Sequence, residues 1–333
     1  MKRIALIFTL LWLVGVVGAQ DDEIITPQDL ADDNGAFTMV NGTEIYYVTE
    51  GDPSNPAVMM IHGFGGSTFT WRDNIGAIAD AGYYAVALDL PPFGLSDKSV
   101  DLDYSRSGLT DIVVGLMDEL GIETATIMGH SMGGGVTAYV AVRHTERVDS
   151  LIFVAGGVFE TSMVSEEDEE NTGDSPFAFL DSINPESEQA ADLLRLALRP
   201  VTFGQIIATA YYDAEAVTDE VIDGYARPLQ LENWAEGFLA YSVAEETEPI
   251  TLDSFAEAAA GIPVQIIWGV EDTWVPIGLG EAMDAVLGGV DFVTYPETGH
   301  LPMEENTEMF NDDVITFLTT VGDSPIAPNL TNR

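Results

Sequence analysis

Short apolar runs recur along the chain, with stretches of helical character between them: Ala36 to Val40, Glu44 to Thr49, Ala57 to Ile61, Tyr83 to Asp89, Thr124 to Met128, Ser150 to Val154, Val264 to Trp268 and Asp291 to Tyr295. The first two are joined through Asn41-Gly42, a pair that accepts the left-handed backbone of a tight turn, which predicts an opening hairpin. The later runs are brief, apolar and bounded by Gly or Pro, the pattern of parallel strands buried under helices on both faces. The pattern predicts an α/β fold with a mostly parallel central sheet flanked by helices.

From residue 157 to 260 the strand rhythm stops. An acidic patch, Glu166 to Glu170, precedes helix-compatible segments at Ala190 to Leu198, Phe203 to Tyr212 and Asn233 to Val243. Strands resume afterwards and need their earlier half to form a sheet, so this stretch reads as an inserted helical cap rather than a separate domain. The core is then 36–156 together with 261–322. Residues 20–35 read as a flexible acidic lead-in and 323–333 as a loose tail. No internal repeat or long low-complexity tract is present.

Composition narrows the setting. The chain has 333 residues, 46% of them hydrophobic, enough for a full core. Residues 1–19 carry Lys2 and Arg3, an apolar run from Ile4 to Val17, and the small residues Gly18 and Ala19. This is the layout of a signal peptide cut after Ala19, which predicts an exported protein, periplasmic or extracellular, touching the membrane through that peptide during export. An uncleaved anchor is the rival reading, but the apolar run is shorter than the ~18–20 residues that span a bilayer.

There is no cysteine, which excludes disulfides, thiolate metal sites and lipid attachment at an N-terminal Cys. Acidic residues number 56 against 11 basic ones, for a net charge of −45. Nucleic acid is thereby excluded as a partner, and the charge reads as a heavily solvated surface suited to a saline habitat.

Chemistry concentrates at Gly129-His130-Ser131-Met132-Gly133-Gly134, between the run Thr124 to Met128 and the apolar stretch Val136 to Val142. This is a G-x-S-x-G nucleophile elbow with strand before and helix after. A serine on so sharp a turn has a strained backbone, and its neighbours two positions away must be tiny, as Gly129 and Gly133 are. The bend lifts the hydroxyl into a cleft at a helix N-terminus, where developing negative charge is favoured.

A serine hydroxyl needs a base. Of four histidines, His62 lies in the loop after the third run, His130 is expected to direct its ring away from the cleft, and His144 ends a helix among charged residues. His300 remains, in the loop after the last strand. A carboxylate must orient it and stabilise the imidazolium. Asp272 follows the run Val264 to Trp268, which gives the chain order Ser, Asp, His. Glu271 is adjacent but points differently, and Glu160 is the reserve acid.

The oxyanion of an acyl-transfer intermediate needs backbone N–H donors. Met132 supplies one, and Phe64 in His62-Gly63-Phe64-Gly65-Gly66 supplies the other while its ring lines the cleft. The Gly-rich loop is not a phosphate loop, because no Lys-Ser/Thr follows it.

With these motifs in place, the chain resembles a cap-bearing serine hydrolase, esterase-like, of the α/β-hydrolase superfamily, over nearly all of Glu44 to Val321. Asp89-Leu-Pro-Pro-Phe-Gly94-Leu-Ser96 is similar to that family's D-x-P-G-x-G-x-S loop and departs at Pro92, where the pattern has Gly. The resemblance implies Ser131, Asp272 and His300 as the triad and Phe64 and Met132 as oxyanion donors. Related haloalkane dehalogenases and epoxide hydrolases carry Asp where this chain has Ser131, so a serine points instead to acyl chemistry.

The expected activity is hydrolysis of a carboxylic ester of a small to medium apolar substrate through an acyl-enzyme. Lactone hydrolysis, carbon–carbon bond hydrolysis and perhydrolysis are open to the same triad, and a ligand-binding receptor with residual hydrolysis is the alternative of another class. Trp71, Phe64, Trp274, Phe203 and Trp234 are candidate walls of the substrate pocket. No metal or organic cofactor is implied, since four scattered histidines give no ligand cluster.

Overall fold

The computed structural model describes residues 24–158, 183–185 and 187–322. The expected signal peptide, the reserve acid Glu160, the acidic patch Glu166 to Glu170 and the tail 323–333 lie outside the described residues.

The eight predicted runs all become strands of one sheet: β1 (Gly35–Val40), β2 (Thr43–Glu50), β3 (Ala57–Ile61), β4 (Tyr84–Leu88), β5 (Ala125–His130), β6 (Val148–Val154), β7 (Val264–Gly269) and β8 (Asp291–Tyr295). The spatial order is β1-β2-β4-β3-β5-β6-β7-β8. β1 and β2 form the predicted hairpin, with Asn41 and Gly42 both at positive φ (52° and 89°), the backbone that a two-residue turn matching strand twist requires. β2 pairs antiparallel with β4, and every later pairing is parallel. β3 and β4 are buried at every residue, which explains their unbroken apolar sequence.

Helices α1 (Ile75–Asp80), α2 (Arg106–Glu119), α3 (Met132–Arg143), α8 (Leu252–Ala258), α9 (Ile277–Leu287), α10 (Pro302–Glu305) and α11 (Thr307–Gly322) accompany the sheet. Between β6 and β7 the described residues form α4 (Ala190–Ala197), α5 (Pro200–Ala208), α6 (Asp219–Ala226) and α7 (Trp234–Ser242). α5 begins three residues before the expected Phe203, because Pro200 sits in its first turn, where a missing N–H costs nothing. α6 has no counterpart among the expected segments. It starts at Thr218, whose side chain accepts the Val221 N–H, and Gly224 leaves room for the Phe69 ring.

The lead-in is not wholly flexible. Thr26 and Asp29 cap a turn at Pro27–Leu30, and the Asp32 carboxylate pairs with Arg227 at 2.6 Å and accepts the Tyr46 hydroxyl at 2.9 Å. Its acidic residues are thus partly engaged in long-range contacts that local composition cannot reveal. Among the described residues, no helix is long and apolar enough to cross a membrane.

Candidate active site

The parallel register brings the C-terminal ends of β5, β7 and β8 to one edge of the sheet, where doubly wound folds place their ligands. Ser131 follows β5, Asp272 follows β7 and His300 follows β8. Ser131 has φ 52° and ψ −117°, a conformation that costs a non-glycine residue free energy and persists only where its surroundings enforce it. Here the enforcement is visible. The Ser131 N–H donates to the Val154 carbonyl at 2.9 Å, and its own carbonyl accepts the Gly134 N–H at 2.9 Å. Glycines permit the packing: a Cβ on Gly133 would lie 2.5 Å from the Ile61 carbonyl oxygen, and one on Gly156 would lie 2.3 Å from that of Ser131.

The His300 Nδ1–H donates to Asp272 Oδ2 at 2.8 Å, with both side chains buried. Asp272 Oδ1 accepts the N–H groups of Trp274 (2.8 Å) and Val275 (2.9 Å). The carboxylate is therefore fixed by three donors, and with Nδ1 carrying the proton Nε2 of His300 is left as an acceptor. The His300 loop is held from several sides: its N–H donates to the Ala210 carbonyl at 2.7 Å, and Glu305 accepts the Gly299 and Leu301 N–H groups. Glu271, as expected, points away from this pair, accepting the Thr298 N–H.

His130 corrects one expectation. Its ring is not directed away: it lies 4.7 Å from the His300 ring, centroid to centroid, and lines the same cavity. Its Nε2–H donates to the His300 carbonyl at 2.9 Å. Burial holds its imidazole well below the ordinary histidine range, as does the neighbouring His300, so it is neutral. His62, wholly buried and pushed down to about 4 by desolvation, donates from Nδ1 to the Gly63 carbonyl and accepts the Leu90 N–H at Nε2. It thereby pins the Gly-rich loop to the Asp89 loop.

Asp89 supports that geometry, accepting the N–H groups of Thr68 and Leu95 at 2.6 Å each; burial nevertheless pushes its carboxyl up to about 6. The turn containing Pro92 closes through the Phe93 N–H onto the Leu90 carbonyl. In the Gly-rich loop, the Gly66 N–H bonds the Gly63 carbonyl, which places Phe64 at the apex of a turn beside the cavity. Met132 opens α3, where the first N–H groups have no partner within the helix.

Ser131, His130 and His300 share a cavity of about 210 Å³ with Phe64, Trp274, Thr70, Tyr225, Ile207 and Leu301 among its walls. Of the five aromatic residues considered as walls, Phe64 and Trp274 line it. Phe203 and Trp234 line a smaller adjoining cavity, which Lys98 and Tyr225 also border. Trp71 is core, stacked near Phe310 and without exposed surface. Missed by sequence reasoning were Thr70, Tyr225 and Glu304, a set with no local pattern to mark it.

The α/β hydrolase fold family matches residues 56–307, and the chain belongs to it. Among similar proteins, an uncharacterized hydrolase of Bacillus subtilis (strain 168) is 27% identical over 282 residues, 84% of this chain and 96% of that one. The 2-hydroxy-6-oxo-6-phenylhexa-2,4-dienoate hydrolase of Comamonas testosteroni is 30% identical, covering 82% of this chain and 91% of its own. A meta-cleavage product hydrolase from Pseudomonas fluorescens IP01 superposes with a TM-score of 0.69 at 23% identity, over 86% of this chain and 97% of that one, a likeness of fold.

Proposed function

We propose that this chain is an exported serine hydrolase that cleaves carboxylic esters of small to medium apolar substrates through an acyl-enzyme on Ser131. One observation carries the reading: a serine held at a strained bend opens on the same cavity as a histidine bonded at 2.8 Å to a buried carboxylate. In this mechanism His300 Nε2 takes the Ser131 proton as Oγ attacks the carbonyl carbon. The tetrahedral oxyanion is met by the amides of Phe64 and Met132, and Asp272 stabilises the imidazolium. Protonated His300 gives its proton to the departing alkoxide; water then attacks the acyl carbon and regenerates the serine.

Carbon–carbon bond hydrolysis is the second reading, favoured by the names of relatives that act on dienoates and dienedioates. Charge weighs against such carboxylate-bearing substrates here. No Arg or Lys is found among the described residues lining the cavity, and the sequence from 159 to 182 contains neither. Among the described residues a free carboxylate would meet no cation on the walls of this cavity, Lys98 bordering only the adjoining one, in a protein of net charge −45.

Purified enzyme assayed on p-nitrophenyl butanoate and on 2-hydroxy-6-oxo-6-phenylhexa-2,4-dienoate is expected to give sustained turnover with the ester favoured. A higher kcat/KM for the dienoate would reverse the choice, and a single burst without cycling would favour a ligand-binding receptor. Export rests on residues 1–19; the mature protein is expected to begin at Gln20, and a secreted or membrane-bound form retaining Met1 would contradict cleavage.

A further inference from the structure

A buried carboxylate sets the direction of a hydrogen-bond chain that ends on the cavity wall. Glu304, in α10 and 2% exposed at its side chain, meets the Arg72 guanidinium at 2.6 Å. Its carboxylate also receives the hydroxyls of Tyr211, at 2.5 Å, and Tyr225. The partners come from separate parts of the chain: Arg72 from the turn after the Gly-rich loop, Tyr211 from the segment after α5, and Tyr225 from α6. A carboxylate beside a guanidinium has lone pairs and no proton to give, so both phenols donate to it. Burial keeps both phenols protonated, far above their ordinary range.

The consequence reaches the cavity. With its proton committed to Glu304, the Tyr225 oxygen can only accept in its 3.3 Å contact with Thr70 Oγ1. While that contact is kept, the Thr70 proton is spent on the Tyr225 oxygen, and the wall then offers a ligand the remaining lone pairs of the two hydroxyl oxygens. Thr70 and Tyr225 are both walls of the cavity that holds Ser131 and His300. We propose that this wall is a subsite for a neutral hydrogen-bond donor, so that the preferred substrate is an ester carrying a hydroxyl group in the part that the cavity encloses. The inference rests on the ester reading above and narrows it. A carboxylate in the same place would set lone pairs against lone pairs.

The test compares kcat/KM for ethyl butanoate, ethyl 3-hydroxybutanoate, 2-hydroxyethyl butanoate and monoethyl succinate, followed by acid release. Wild type is expected to favour one of the hydroxylated esters over ethyl butanoate by about three- to tenfold, the scale of a net hydrogen bond, with monoethyl succinate the slowest. In Thr70→Val and Tyr225→Phe that ratio falls towards one; as a ratio within one enzyme, it is unaffected by any loss of folded protein. Equal rates in wild type, a preference for monoethyl succinate, or an unchanged ratio in both variants overturns the subsite. Should no ester turn over, the ester reading fails by itself. Binding of butananilide and 3-hydroxybutananilide to Ser131→Ala, read by intrinsic tryptophan fluorescence, then decides the subsite: tighter binding of the hydroxylated anilide supports it and equal binding rejects it.

Discussion

The Nδ1–H of His300 and the Oδ2 of Asp272 are joined at 2.8 Å although the two residues stand 28 positions apart, on loops leaving adjacent parallel strands. The other carboxylate oxygen already accepts two backbone N–H groups, so this aspartate serves as an acceptor on every side and fixes which imidazole nitrogen carries the proton.

Asp272→Asn tests that tautomer. An amide is close in size but can offer an N–H where His300 needs a lone pair, which favours the wrong imidazole tautomer. The expected loss in kcat is on the order of 10⁴-fold, with far-ultraviolet circular dichroism unchanged. A loss below tenfold would show that the carboxylate does not orient the base.

Gly156→Ala tests the enforced bend. The added Cβ would fall 2.3 Å from the Ser131 oxygen and 2.6 Å from its nitrogen, and backbone on both sides cannot yield cheaply. Displacing Ser131, the proposed nucleophile, should lower kcat/KM by about 100-fold and lower the melting temperature. Gly76→Ala, in α1 with open space around the position, is the control and should stabilise the protein by up to about 1 kcal/mol.

Buried neutral His62 predicts an acid-sensitive term. Its folded imidazole titrates at about 4 against an ordinary 6.5, so below pH 6.5 the unfolded chain binds the extra proton. Stability from this residue is full above pH 6.5 and declines as pH falls towards 4, by about 3 kcal/mol in all. Asp89 acts oppositely: its carboxyl, raised to about 6, makes the folded state bind more protons between pH 6 and 3.8 and so adds stability on acidification. The His62 term is isolated by the difference in unfolding free energy between wild type and His62→Gln, which should move against wild type from pH 6.5 to 4. A difference that stays flat with pH would contradict it.

The parts legible in the sequence were those with a local physical signature. Buried parallel strands are continuous apolar runs, and the Gly129 and Gly133 spacing is dictated by the bend at Ser131, where a Cβ on Gly129 would lie 2.3 Å from the Gly133 carbonyl oxygen. Asp272 and His300 could be picked from many candidates because parallel strands deliver their following loops to one edge. The Arg72, Tyr211, Tyr225 and Glu304 cluster had no such signature, since its members meet only in the folded chain. Helix α6 was not among the expected segments, and its Gly224 has its reason in a distant residue, since the glycine is what admits Phe69. The orientation of the His130 ring depends on the His300 carbonyl, 170 residues away in sequence.

The proposed nucleophile is tested most directly by a serine-reactive fluorophosphonate, with intact-mass and peptide mapping. One adduct per chain is expected, on the peptide containing Ser131, formed much more slowly in His300→Ala and absent in Ser131→Ala, which should also lose ester turnover by several orders of magnitude. An adduct on another residue, or turnover persisting in Ser131→Ala, would contradict the assignment.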